Sequence, residues 1–270
     1  MLRTRVITGS ILGALLLLGL FLLPPLEAVL AFGAVFTAGA WEWAGFGSLS
    51  GAAARLVYAL IIALTLLASW RWTENRAHLI VFLAAACAWW VMALLWLWLA
   101  PTLHRRALTL LCGVAVLAPA FVALARLQVS VDGFARGPFI VLWLVLMVCA
   151  ADIGAYFSGR KFGRRKLAPR VSPGKTWEGA VGGLLAAVAV ALGGARYFAL
   201  PASLVLVLGC CVAVYSVIGD LTESMFKRAA ALKDSGSLLP GHGGLLDRLD
   251  SVTAAAPLYA LGLFGSGVIP

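Results

Sequence analysis

Charge is scarce in this sequence, and acid is scarcer than base. Of 270 residues only 12% are charged, with 11 aspartates and glutamates against 21 lysines and arginines. So little polar material leaves no soluble domain to be carved out of the chain. Three histidines and five cysteines, with no C-x-x-C or comparable ligand spacing, exclude the common zinc and dithiol motifs. Cys87, Cys112, Cys149, Cys210 and Cys211 all sit inside apolar runs, where a thiol usually packs as a small hydrophobe. No internal repeat or low-complexity tract is present, which excludes solenoids and disordered tails.

What the chain does have is apolar surface: 63% of residues are hydrophobic, and the mean hydropathy is +1.00. The expected fold is an all-α, polytopic integral membrane protein. Nine hydrophobic runs predict nine transmembrane helices: Val6 to Leu23, Ala28 to Ala44, Leu56 to Trp70, Leu79 to Ala100, Ala107 to Leu124, Phe139 to Phe157, Trp177 to Gly194, Leu204 to Ile218 and Val252 to Val268. A span needs roughly 20 residues, so the third and eighth runs require embedded flanks. The first run follows Arg3 and Arg5 as a signal peptide would, but no small-x-small site closes it, and it reads as a retained helix. With the N-terminus in the cytoplasm, inside segments collect every lysine and arginine except Arg71, Arg76, Arg126, Arg136 and Arg196. That bias supports the orientation.

The acids divide the chain. Glu27, Glu42, Glu74 and Asp132 are scattered over the first half and read as incidental. Asp152, Glu178, Asp220, Glu223, Asp234, Asp247 and Asp250 gather near the predicted cytoplasmic ends of spans six to nine. Residues 1–136, with spans one to five, are therefore separated from a catalytic region, 137–270, whose cytoplasmic loops cover 158–176 and 223–251.

Two stretches could carry chemistry. In "DIGAYFSGRKFGRRKLAPRVSPGKTWEGAVGG", Asp152 to Gly183, Asp152 and Tyr156 share a helix face. Six cations between Arg160 and Arg170 then lead to Ser172, Lys175, Thr176 and Glu178 ahead of helix seven. Hydroxyls, a lysine and a helix N-terminus together favour an anion. The same residues also describe a topological basic loop with a Ser or Thr cap. A Walker A loop is excluded, because Pro169 stands where its first glycine belongs. In the second stretch Asp220, Glu223 and Ser224 share a face, with Lys227 a turn further on. Gly236, Gly241, Gly243 and Gly244 then let backbone approach a ligand. Hard oxygen ligands at Asp220 and Asp247, without a His or Cys cluster, suit magnesium better than zinc. A lone His242 is more often a hydrogen-bonded loop residue than a catalyst. Gly9 and Gly13, and Gly179 and Gly183, have small-xxx-small spacing that packs helices within one chain or across a homodimer.

The run "SMFKRAAALKDSGSLLPGHGGLLDRLD", Ser224 to Asp250, resembles position for position the motif of the phosphatidate cytidylyltransferases, also called CDP-diacylglycerol synthases. "SPGKTWEG", Ser172 to Gly179, is similar to that family too. The resemblance implies transfer of a cytidylyl group from CTP to phosphatidic acid in a magnesium-dependent reaction at a bacterial inner membrane. It implies one or two magnesium ions held by Asp220 and Asp247, with Asp250, Glu223 or Asp152 as further ligands. Ser172, Lys175 and Thr176 would meet the triphosphate, with Glu178 beside them. Lys227, Arg228, Lys233 and Arg248 would hold pyrophosphate or lipid phosphate. Gly243 and Gly244 would wrap the nucleotide, while His242 would bond a phosphate or orient Asp247. No nucleic-acid partner is expected. A transporter would carry its polar groups in both halves, and a CTP-dependent polyprenol kinase would lack the full C-terminal motif.

Overall fold

A computed structural model of the chain describes residues 2–99, 105–129 and 136–269. Among them are nine helices: α1 (Leu2–Phe21), α2 (Pro25–Phe46), α3 (Ala52–Trp72), α4 (Arg76–Leu99), α5 (Arg106–Val129), α6 (Gly137–Phe162), α7 (Trp177–Phe198), α8 (Ala202–Ala229) and α9 (Asp250–Gly265). Each grows from one of the nine apolar runs. Ala100, the predicted end of the fourth run, and Asp132 lie outside the described residues. Pro25 and Pro138 open α2 and α6, where a missing N–H costs nothing. Ala199 ends α7 in the left-handed region, at φ 52°, and Pro201 follows two residues on.

The outer surface explains the hydropathy. Leu56, Leu60, Leu64 and Leu67 form one stripe along α3 and are each more than half exposed. A helix of a soluble protein turns such a stripe inward, whereas here it faces out, as hydrocarbon allows. Helices α2 to α8 are seven that are long and apolar enough to cross a membrane, and the apolar part of α1 is Val6–Phe21. The chain is an all-α polytopic membrane protein. The two short runs gain their flanks as helix, and α8 continues past Ile218 to carry Asp220, Glu223 and Lys227 on rigid backbone.

Helix α9 differs from the rest. Its 16 residues extend about 24 Å, short of a roughly 30 Å hydrocarbon core. Val252, Ala256, Tyr259, Ala260 and Leu263 are buried against α4, α5, α6 and α8. It is a central strut rather than a lipid-facing span. Because α9 rests on α4 and α5, the core runs through the division at residue 136. That division marks a change in charge pattern, not in packing.

Helices α6 and α7 approach most closely. A Cβ on Gly183 would stand 2.6 Å from the Ala151 carbonyl oxygen, and one on Gly154 would stand 2.7 Å from that of Gly182. The Gly179 and Gly183 pair therefore packs helices within the chain. A Cβ on Gly13, by contrast, would meet nothing within 4 Å. Between α6 and α7 the chain forms a small antiparallel hairpin, β1 (Lys166–Ala168) and β2 (Ser172–Thr176), with Lys166 opposite Thr176 and Ala168 opposite Ser172. This is an exception to the all-helical expectation.

Candidate active site

The hairpin decides what the "SPGKT" stretch does. Its residues are strand, paired with Lys166–Ala168, rather than a loop at the start of α7. Thr176 is buried, and its hydroxyl accepts from the Gly179 N–H at 3.1 Å, capping α7. Glu178 accepts from the Arg164 N–H at 3.0 Å and the Arg165 N–H at 3.2 Å, tying down the hairpin's entrance. Ser172 pairs with Ala168 through its backbone, which leaves its hydroxyl outside the ladder. Of the four residues expected to cradle a triphosphate, Lys175 is the one that presents a charge to open space.

That space is a cavity of about 410 Å³ between α6, α7, α8 and the hairpin. Asp152, Tyr156 and Arg160 line it from α6, Lys175 from β2 and Asp220 from α8, above an apolar wall of Leu184, Ala213 and Val217. Lys175 Nζ pairs with Asp220 Oδ2 at 2.5 Å, and Ser224 Oγ donates to Asp220 Oδ1 at 3.3 Å. Arg160 donates to the Tyr156 hydroxyl at 3.3 Å. Asp152 feels the charges of Asp220, Lys175 and Arg248. Both signs of charge thus meet over a hydrophobic floor.

Behind the cavity lies a second charged cluster. Lys227 Nζ donates to Asp247 Oδ1 at 2.6 Å and to Glu223 Oε1 at 3.2 Å, with all three side chains at most 10% exposed. Asp247 Oδ2 accepts from the Ser235 N–H at 2.9 Å, the Ser235 hydroxyl at 3.0 Å and the Gly244 N–H at 2.8 Å. Burial would raise the Asp247 carboxyl, but these donors and Lys227 outweigh it and hold it below the usual carboxylate range. Lys227 and Asp247 are paired with each other, as Lys175 and Asp220 are in the cavity.

The glycine-rich loop reads in detail. His242 N–H donates to the Leu239 carbonyl at 2.9 Å across Pro240 and Gly241, with Gly241 at φ 78°, a type II turn. Gly243 follows at φ 83°, and a Cβ there would stand 2.7 Å from Asp247 Oδ2. His242 does not orient Asp247; Ser235, Gly244 and Lys227 do. The His242 carbonyl accepts from Arg248 Nη2 at 2.9 Å, and its ring lies against Gly9 of α1. Arg228 donates to the Leu232 carbonyl at 3.3 Å, and Lys233 is exposed on the loop. Neither lines the cavity.

The five acids expected to share metal form a string rather than a cage. The charge of Asp220 acts on Asp152, those of Asp220 and Glu223 act on Asp250, and that of Asp247 acts on Glu223. Asp250 also accepts from its neighbour Ser251 N–H at 2.7 Å. Among the described residues no three His, Cys, Asp or Glu side chains converge to hold one ion. Two carboxylates facing a cavity, Asp152 and Asp220, match the other way magnesium is bound, through one or two carboxylates completed by substrate phosphates.

Comparison with known proteins places this site in a family. The model of the cytidylyltransferase family matches residues 3–264. The chain belongs to the cytidylyltransferase family. It is similar to the phosphatidate cytidylyltransferase of Haemophilus influenzae, 39% identical over 96% of this chain and 98% of that protein. A phosphatidate cytidylyltransferase of Pseudomonas aeruginosa is 42% identical over 99% and 98%. That of Brucella suis is 53% identical over 47% of this chain and 46% of its own. As a cytidylyltransferase the chain is an enzyme, a nucleotidyltransferase.

Sequence reasoning missed two parts of this cytidylyltransferase's site. Arg160 stood among the loop cations, although its spacing of four from Tyr156, itself four from Asp152, aligns all three on one face. Glu42 was set aside as incidental, yet it is buried and accepts from Ser235 Oγ at 3.0 Å and the Leu246 N–H at 2.9 Å. The signal available was a carboxylate between two tryptophans in an apolar run, an expensive placement that marks a partner.

Proposed function

We propose that this enzyme transfers the cytidylyl group of CTP to phosphatidic acid, forming CDP-diacylglycerol and pyrophosphate in phospholipid synthesis. The observation that carries the reading is the cavity itself, where Lys175, Arg160, Asp152 and Asp220 stand over an apolar wall in a bundle with a hydrocarbon-facing surface. A lipid phosphate needs such an amphipathic site. The relatives' shared name supplies the acceptor.

In the reaction a phosphate oxygen of the lipid attacks the α-phosphorus, and the bond to the β-phosphate breaks as pyrophosphate leaves. The lipid phosphate is largely ionised at neutral pH, so no general base is required. Bringing two polyanions together is the main obstacle, and positioning with charge neutralisation is the main catalytic contribution. Lys175 and Arg160 supply positive charge at the cavity, while Asp220 and Tyr156 hold those two cations in place. Asp152 and Asp220 would hold magnesium, which when bound would offset the phosphates' negative charge. The active site faces the cytoplasm of a bacterial inner membrane, where the basic loops between α6 and α7 and after α8 gather.

Purified protein in detergent with phosphatidic acid, magnesium and labelled CTP tests the assignment. Label at the α-phosphate is expected in lipid, and label at the γ-phosphate in pyrophosphate. Labelled lipid from γ-labelled CTP would replace cytidylyl transfer with phosphoryl transfer.

A further inference from the structure

Glu42 stands on α2, in the half of the chain that contributes no side chain to the cavity, and it is 3% exposed. Its contacts are with the loop that follows α8. Oε2 accepts from the Ser235 hydroxyl and the Leu246 N–H. Oε1 is buried with no hydrogen-bond partner. The loop backbone closes around the carboxylate at two glycines: a Cβ on Gly236 would stand 2.3 Å from Oε1 and one on Gly244 2.6 Å from Oε2. No larger residue fits at either position while Glu42 is there. A carboxylate so placed is costly, and what it grips is specific. Leu246 opens the 3-10 turn Leu246–Arg248, which carries Asp247 and Arg248. Ser235 Oγ also touches Asp247 Oδ2 at 3.0 Å. That single hydroxyl proton is shared between the two carboxylates, and one N–H joins Glu42 to the turn whose Asp247 accepts from Lys227 of α8, the helix that presents Asp220 to the cavity.

We infer that Glu42 is a positioning residue for cytidylyl transfer: through Ser235 and Leu246 it fixes the turn whose Asp247 is tied to Lys227 of α8, the helix that carries Asp220 into the cavity. It touches no substrate. The inference rests on the reaction proposed above, and it makes the N-terminal helices part of the active-site frame rather than a membrane anchor alone.

The test measures CDP-diacylglycerol formation by wild type, Glu42→Ala, Glu42→Gln, Ser235→Ala and the Glu42→Ala/Ser235→Ala pair, each checked for a monodisperse profile in detergent. Wild-type turnover comes first, since its absence would fail the reaction and not the role of Glu42. For Glu42→Ala, kcat is expected to fall about thirtyfold while KM for CTP stays within about threefold, because Lys175 and Arg160 are untouched. Glu42→Gln keeps a carbonyl acceptor for both donors and should stay within about threefold of wild type. The double variant should be about as slow as Glu42→Ala alone, since both changes cut one path. Ser235→Ala leaves α2 intact, so its expected loss of about fivefold in kcat stands even if Glu42→Ala does not fold. Wild-type kcat in Ser235→Ala or in folded Glu42→Ala would overturn the inference. So would Glu42→Gln as slow as Glu42→Ala, or multiplicative losses in the pair.

Discussion

Replacing Lys227 by methionine isolates the buried cluster behind the cavity. Methionine keeps the length and most of the apolar stem but removes the charge that joins Glu223 to Asp247. The two acids do not suffer equally. Asp247 keeps two backbone donors, Ser235 N–H and Gly244 N–H, and shares the Ser235 hydroxyl proton with Glu42, so its charge stays compensated. Glu223 is 4% exposed, and among the described residues Lys227 is its hydrogen-bond donor. Breaking a buried pair from one side costs about 3–5 kcal/mol, because a charge is left uncompensated. At roughly 2–4 °C per kcal/mol for a chain of this size, the unfolding midpoint should fall by at least about 6 °C. Tryptophan fluorescence on heating in detergent reads the midpoint, and the half-life of activity at fixed temperature reads the same loss if unfolding is irreversible. Adding Glu223→Gln removes the orphaned charge and should restore most of the loss. A methionine variant within about 2 °C of wild type would refute the reasoning, as would a double variant no more stable than the single one.

Lys175→Ala should weaken CTP binding by about 1.5–3 kcal/mol, the range of a charge-assisted contact; an equilibrium binding assay indistinguishable from wild type would take Lys175 out of the nucleotide site. Asp220→Asn should abolish turnover in folded protein across a magnesium titration, and near-normal turnover would remove Asp220 from the chemistry. Gly183→Val should separate α6 from α7, since its side chain would meet the Ala151 carbonyl; activity and thermal midpoint should fall together, and an unchanged midpoint would show that the seam tolerates bulk. Asp247 titrates lower in the folded chain than unfolded, so its stabilising contribution is whole above about pH 4 and is lost as pH falls through its own lower value. The midpoint difference between wild type and Asp247→Asn should therefore shrink below about pH 4, and a constant difference would contradict the assignment.

The helices were legible because an apolar run of span length is a local signal, readable without knowing what it packs against. Charge flanking the runs located Asp152, Lys175 and Asp220, which the fold brings together. The hairpin was not legible: three and five residues of strand in a cation-rich loop have no alternating pattern to show. Spacing also could not tell which charges are already spent. Lys227 and Arg228 are neighbours in the motif, yet one is sealed between two carboxylates and the other lies exposed at the end of α8. Glu42 escaped notice because its donors lie 193 and 204 residues away, a distance over which no motif extends.

That separation has a cost in time as well as in sequence. At about 5–20 residues per second of synthesis, α2 exists for roughly ten to forty seconds before Ser235 and Leu246 have been made. Through that interval the newly inserted half-protein carries a carboxylate whose partners have yet to be translated. Completion of the loop is the event that gives Glu42 its donors.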